Sequence, residues 1–191
     1  MRTGKSVLLL SLVITALVST ARAQSWGVGG AAGLVNDIDE RFALDGFKRS
    51  EVNGWIEYRM DQLSILRLTY GSMRTRARNA GAVLPSVTIP DYKERVNYAT
   101  VGVSYLLWEG FYTSGLFAGI GGYHVKPDSL PPELAAFRDR DETVFGFHAG
   151  VDGEFRLVKH LGLVGRLTYH NISAHPHRQF LNADAGLVGR F

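Results

Sequence analysis

The chain has no cysteine, so no disulfide supports its fold, and stability must come from packing or from a membrane. Proline is scarce at six residues, and all six, Pro85, Pro90, Pro127, Pro131, Pro132 and Pro176, fall between the apolar-periodic segments rather than inside them. Mean hydropathy is close to zero and no apolar run of membrane-spanning length follows the N-terminal segment, which excludes transmembrane helices. It does not exclude a transmembrane sheet, whose alternating side chains average out in any window. An excess of charge is also missing once the N-terminus is set aside. Arg2 and Lys5 precede an apolar stretch from Val7 to Val18, and Ala21-Arg22-Ala23 has the small-x-small form of a signal-peptidase site. Residues 1–23 therefore read as a signal peptide cleaved near Ala23, with the mature domain over 24–191. Removing Arg2, Lys5 and Arg22 from the 21 Lys and Arg leaves 18 against 18 Asp and Glu. A neutral mature chain gives no reason to expect nucleic acid as a partner.

What the chain has in abundance is alternation. Between Thr143 and Arg156, Phe145, Phe147, Ala149, Val151 and Phe155 alternate with His148, Asp152, Glu154 and Arg156; Leu161, Leu163, Leu167 and Tyr169 then alternate with Arg166, Thr168 and His170. A period of two sorts side chains onto the two faces of a strand, and the short Val-Lys-His link makes the two limbs a hairpin. The same pattern recurs over about 25–35, 47–60, 63–74, 94–107, 111–125 and 179–191, giving eight strands. Their connections alternate long, short, long, short, long, short, long. An up-and-down meander with this rhythm places every short turn at one end and every long loop at the other.

Which face looks inward decides the environment. A soluble barrel or sandwich would put the apolar faces inside, but the polar faces of the first and fifth strands are mostly glycine, a poor solvated surface. With apolar faces in lipid, Glu57, Arg59, Arg67, Asp152, Glu154, Arg156, Arg166, Asp184 and Arg190 fill the interior as a nearly balanced charge network, and the inward glycines relieve crowding in a barrel just wide enough to be filled by side chains. Reversing the phase in lipid would cost about 2–4 kcal/mol for each Arg or Lys near the midplane. Aromatic residues support the apolar-out phase: Trp26, Tyr58, Tyr105, Tyr112, Phe155 and Phe191 gather toward the short-turn end, and Tyr70, Phe145, Phe147 and Tyr169 toward the long-loop end, as two interfacial belts would. The expected fold is all-β, an eight-stranded antiparallel up-and-down transmembrane β-barrel.

The run Gly-Leu-Phe-Ala-Gly-Ile-Gly-Gly-Tyr at 115–123, the turn Arg-Leu-Val-Lys-His-Leu-Gly-Leu at 156–163 and the ending Ala-Gly-Leu-Val-Gly-Arg-Phe at 185–191 resemble small bacterial outer-membrane barrels of the OmpA and OmpX type. The resemblance implies a Gram-negative outer-membrane location and contact with lipid and lipopolysaccharide. It also implies Phe191 as the terminal signal read by the outer-membrane assembly machinery. It specifies architecture better than activity, since such barrels include structural proteins, adhesins, narrow pores and lipid-modifying enzymes. The expected role is structural or interactive, through the long loops and a ligand the sequence does not name, in a monomer without cofactor or metal. A narrow passive pore and a lipid A-modifying hydrolase are the alternatives.

The hydrolase reading rests on His170 and Ser173, which superficially resemble the deacylase His-x-Ser-Asn motif. An i, i+3 pair points to opposite faces of a strand, so His170 could not readily activate Ser173. His175 and His177 could join His170 at a metal, but no spaced carboxylate or Cys completes the set. Arg74, Arg76 and Arg78 share one face at the long-loop end, where they could meet lipid phosphates. Gly27, Gly29 and Gly33 do not form a nucleotide loop, since no helix follows.

Overall fold

The computed structural model describes residues 26–38, 49–77, 92–129, 141–174 and 178–191. They form eight antiparallel strands, β1 (Trp26–Ile38), β2 (Arg49–Arg59), β3 (Ser64–Ala77), β4 (Tyr92–Trp108), β5 (Tyr112–Ser129), β6 (Glu142–Val158), β7 (Leu161–Ile172) and β8 (Arg178–Arg190). Each strand pairs with its neighbours in sequence, and β8 returns to pair with β1, so the sheet closes on itself. Closure leaves no edge strand to be covered. The seam extends to the last residue: the Phe191 N–H donates to the Trp26 carbonyl at 2.9 Å, and the Trp26 N–H donates back to the Phe191 carbonyl at 2.9 Å.

Several strands outrun the alternation. β1 continues to Ile38, β3 to Ala77 and β5 to Ser129, because ladder hydrogen bonds do not depend on which side chain faces which medium. Pro127 is thereby inside β5 rather than in a loop. It stands opposite Glu94, where the β4–β5 register shifts, the kind of irregularity at which a strand tolerates a missing N–H. The β2–β3, β4–β5 and β6–β7 turns all lie at one rim. The connections containing 39–48, 78–91, 130–140 and 175–177 leave from the other.

The wall is apolar outside. Val28, Val52, Ile56, Leu68, Val101, Ile120, Val151 and Leu167 are among the many large aliphatic side chains exposed on the convex face. The opposite phase of the same strands is buried, and around mid-barrel it is largely polar. Glu51, Glu57, Thr69, Thr100, His148, Glu154, Arg166, Thr168, His170, Asn182 and Asp184 all lie within the barrel. Nearer the long-connection rim an apolar layer crosses the interior, built from Val35, Met73, Val96, Val125, Ile172 and Phe180 against Tyr98 and Tyr123. A smaller apolar group, Ala31, Trp55, Val164 and Val188, fills the opposite half.

Candidate functional site: the barrel interior and its rims

Two hydrogen-bonded ionic groups occupy the interior. In the first, cross-strand register sets Glu57 of β2 against Arg67 of β3. Arg67 donates through one nitrogen to Glu57 at 3.3 Å and through the other to Asp152 of β6 at 2.9 Å. Glu57 Oε1 also accepts from Arg190 Nη2 at 2.8 Å and Nε at 3.1 Å, while Arg190 Nη1 donates to Glu154. Trp55 Nε1–H completes the shell of Glu57 at 3.2 Å. A carboxylate held in this way has exchanged water for directed donors, which is what makes its burial tolerable.

In the second group, Arg166 of β7 stands opposite Asp184 of β8 and donates through Nε to Oδ1 at 3.0 Å. Its Nη2 donates to Asn53. Asn53 Nδ2 in turn donates to Glu51 at 3.3 Å, and Glu51 also accepts the Tyr98 hydroxyl. The groups meet at Trp55, whose ring lies 4.1 Å from the Arg166 guanidinium carbon and 5.9 Å from that of Arg67, distances at which a cation is attracted to an indole face. Toward the long-connection rim, the Tyr123 hydroxyl hydrogen-bonds His170 Nδ1 at 3.0 Å, and the His170 ring lies near both Tyr98 and His148, with centroids at 5.3 and 5.7 Å. Two of the spaces in the interior measure about 20 Å³ beside Glu51 and His148 and about 40 Å³ near the short-turn rim. Each holds a few water molecules at most.

Seven of the nine charged residues expected inside, Glu57, Arg67, Asp152, Glu154, Arg166, Asp184 and Arg190, enter these two groups. Two do not, although both line the inner space at the short-turn rim. Arg59 pairs at 2.8 Å with Glu109 in the β4–β5 turn, and Arg156 is exposed. Both share the inward phase but lie at strand ends, where β2 leaves the barrel and where the β6–β7 register shifts between Arg156 and Val158. Alternation identifies a face, not a depth. Glu51, Trp55, Tyr98 and Tyr123 are interior residues absent from the expected network. Their signal was available: Glu51 and Trp55 share the parity of Glu57, and Tyr98 that of Thr100.

The remaining candidates are dispersed. His170 is buried, with 2% of its surface exposed, whereas Ser173 is exposed beyond the end of β7. Arg74 is exposed on β3 opposite Arg95, which pairs with Asp128 at 3.2 Å. The side chain of Arg76, and the whole of Arg78, His175, His177 and residues 1–23, lie outside the described residues. Two further ion pairs, Arg49 with Asp37 and Arg178 with Glu94, stand beyond the apolar layer at the long-connection rim. At the short-turn rim, Asp61 Oδ1 accepts the N–H groups of Leu63 at 2.7 Å and Ser64 at 2.8 Å. The first of these is the main reason that the Asp61 carboxyl titrates below its ordinary range.

No protein-family model matches the chain, and no curated protein sequence does. Solved structures do. Neisserial surface protein A is similar with a TM-score of 0.59 at 13% identity, over 87% of this chain and 97% of that one. Ail, the attachment invasion locus protein of Yersinia pestis, crystallised with the heparin analogue sucrose octasulfate, has a TM-score of 0.52 at 16% identity, over 88% of this chain and 97% of that one. OprG, an outer-membrane protein of Pseudomonas aeruginosa, has a TM-score of 0.51 at 14% identity, over 88% and 95%. Closed topology, an apolar wall and these similarities together establish that the chain has the fold of small eight-stranded outer-membrane β-barrels.

Proposed function

We propose that the protein is an integral bacterial outer-membrane barrel with a plugged interior, acting structurally or as a binding platform through its long connections rather than as an enzyme. The observation that carries this reading is the inverted distribution of side chains: aliphatic residues exposed around the wall and ion pairs buried at its centre. In water such a wall would be a very large exposed apolar surface, well beyond what monomeric soluble proteins carry. In a bilayer it is the ground state. The plug is supported by the two ionic groups, the apolar layer above them and the small size of the spaces between. A conducting pore needs a continuous water path, and a lipid A-modifying hydrolase needs His170 within reach of Ser173, yet one is buried and the other exposed.

On the same reading, residues 1–23 are the cleaved export signal and Phe191 engages the assembly machinery. The monomer lies in lipid and lipopolysaccharide, with Arg74, Arg76 and Arg78 toward the phosphates of the outer leaflet. Fractionation with gel electrophoresis before and after boiling tests it. The chain should remain with the outer membrane, migrate differently when unheated, and give no stepwise conductance in planar bilayers. A soluble chain of constant mobility overturns the membrane reading; steady conductance steps overturn the plug.

A further inference from the structure

The ionic groups inside the barrel are paired, but the short-turn rim carries basic residues that are not. A cleft of about 260 Å³ opens there between the ends of β6, β7 and β8, lined by the basic residues Arg59, Arg156, Lys159, His160 and Arg190, by Glu154, and by the apolar residues Val158, Leu161 and Phe191. Two of these cations are already neutralised, Arg59 by Glu109 and Arg190 by Glu57 and Glu154. Arg156 and Lys159 have no carboxylate partner among the described residues, and both are exposed. His160 Nδ1 donates to the Arg190 carbonyl at 3.0 Å, which ties the β6–β7 turn carrying Lys159 to the end of β8.

The apolar part of the lining decides what kind of anion fits. Val158, Leu161 and Phe191 are exposed, Phe191 at 73%, and Leu161 shares the exposed phase of Leu163 and Leu167 on the outer wall. A water-soluble acidic partner would gain nothing from a surface that runs into the acyl region. A lipid whose phosphate meets Arg156 and Lys159 while its chains lie along Leu161 and Phe191 uses the basic and the apolar lining at once.

We infer that this cleft is a binding site for the phosphate headgroup of an anionic glycerophospholipid in the leaflet that meets the short turns. The site is distinct from the Arg74 face at the opposite rim and rests on the reading of the barrel as membrane-embedded. Two uncompensated basic residues near a lipid surface contribute about a fivefold preference each, so about 25-fold together.

The test is native mass spectrometry of the folded, full mature barrel in detergent, titrated separately with phosphatidylglycerol, phosphatidylcholine, phosphate-free diacylglycerol and free glycerophosphate. Phosphatidylglycerol adducts should exceed diacylglycerol adducts by roughly the same 25-fold factor. The Arg156→Gln/Lys159→Gln variant should lose that preference while keeping its heat-dependent gel mobility, and Lys126→Gln at the other rim should leave it intact. Equal adducts in the double variant and the parent, or glycerophosphate binding as well as the lipid, would overturn the site while leaving the barrel standing. A chain that neither enters micelles nor shifts on heating would overturn the membrane reading and the site with it.

Discussion

At the scale of single residues, the interior is sustained by charges that cannot be removed one at a time. The side chains of Arg166 and Asp184 are 5% and 2% exposed, so neither can recover solvation from water when its partner is lost. Arg166→Ala should therefore destabilise the barrel by about 3–5 kcal/mol, read by urea unfolding in lipid vesicles, because Asp184 would be left buried without its guanidinium. Replacing both, as Arg166→Met with Asp184→Leu, should cost clearly less than the single change. Asp61 lies outside the wall and acts differently. Its folded-state pKa is depressed, so its contribution to the β2–β3 turn is present above the ordinary Asp value of 3.8 and is lost as pH falls through the lowered one. The amide resonances of Leu63 and Ser64 should report that loss on acidification, and Asp61→Asn should abolish the pH dependence of both.

At the scale of strands, large inward side chains are seated over inward glycines of their neighbours. A Cβ on Gly29 of β1 would come within 2.2 Å of the Trp55 ring on β2, and one on Gly71 of β3 within 2.4 Å of the Tyr98 ring on β4. Gly29→Val should displace Trp55, shift its fluorescence and cost about 1–3 kcal/mol by overpacking. Gly122→Ala, where the added carbon meets nothing within 4 Å, should be close to neutral. This arrangement was partly legible in the sequence. Alternation sorted Arg67 from Leu68 and Glu57 from Ile56, and the glycines of the first and fifth strands fell on the crowded side. Depth along the axis was not legible, because residues of one parity share a face whether they sit at mid-barrel or at a strand end; hence Arg59 and Arg156 stand at the rim. The apolar layer of Met73, Val96, Ile172 and Phe180 was hidden for a related reason. An aliphatic residue on the inward phase looks in sequence like a lapse of alternation rather than a contact with other such lapses on distant strands. Cross-strand partners such as Arg67 with both Glu57 and Asp152 depend on register and barrel closure, which pattern alone leaves open.

At the scale of the whole molecule, the protein separates two environments with a single closed sheet. Aliphatic side chains form its outer surface, ionic and aromatic groups fill its centre, and aromatic residues mark its outer wall toward both rims. Trp26 packs on Tyr58, and Phe111 and Tyr112 on Phe155, toward the short turns; Phe147 packs on Tyr169 nearer the other end. Two aromatic bands flanking an aliphatic one match the profile of a bilayer. The claim that the exterior lives in lipid is tested most directly by the unfolding free energy of Val101→Arg in phosphatidylcholine vesicles. Val101 is half-exposed on the outer face between Leu68 and Ile120, so an arginine there would disturb no internal packing. A wall in contact with acyl chains should lose about 2–4 kcal/mol; an unchanged or increased stability would show that the aliphatic band does not face lipid.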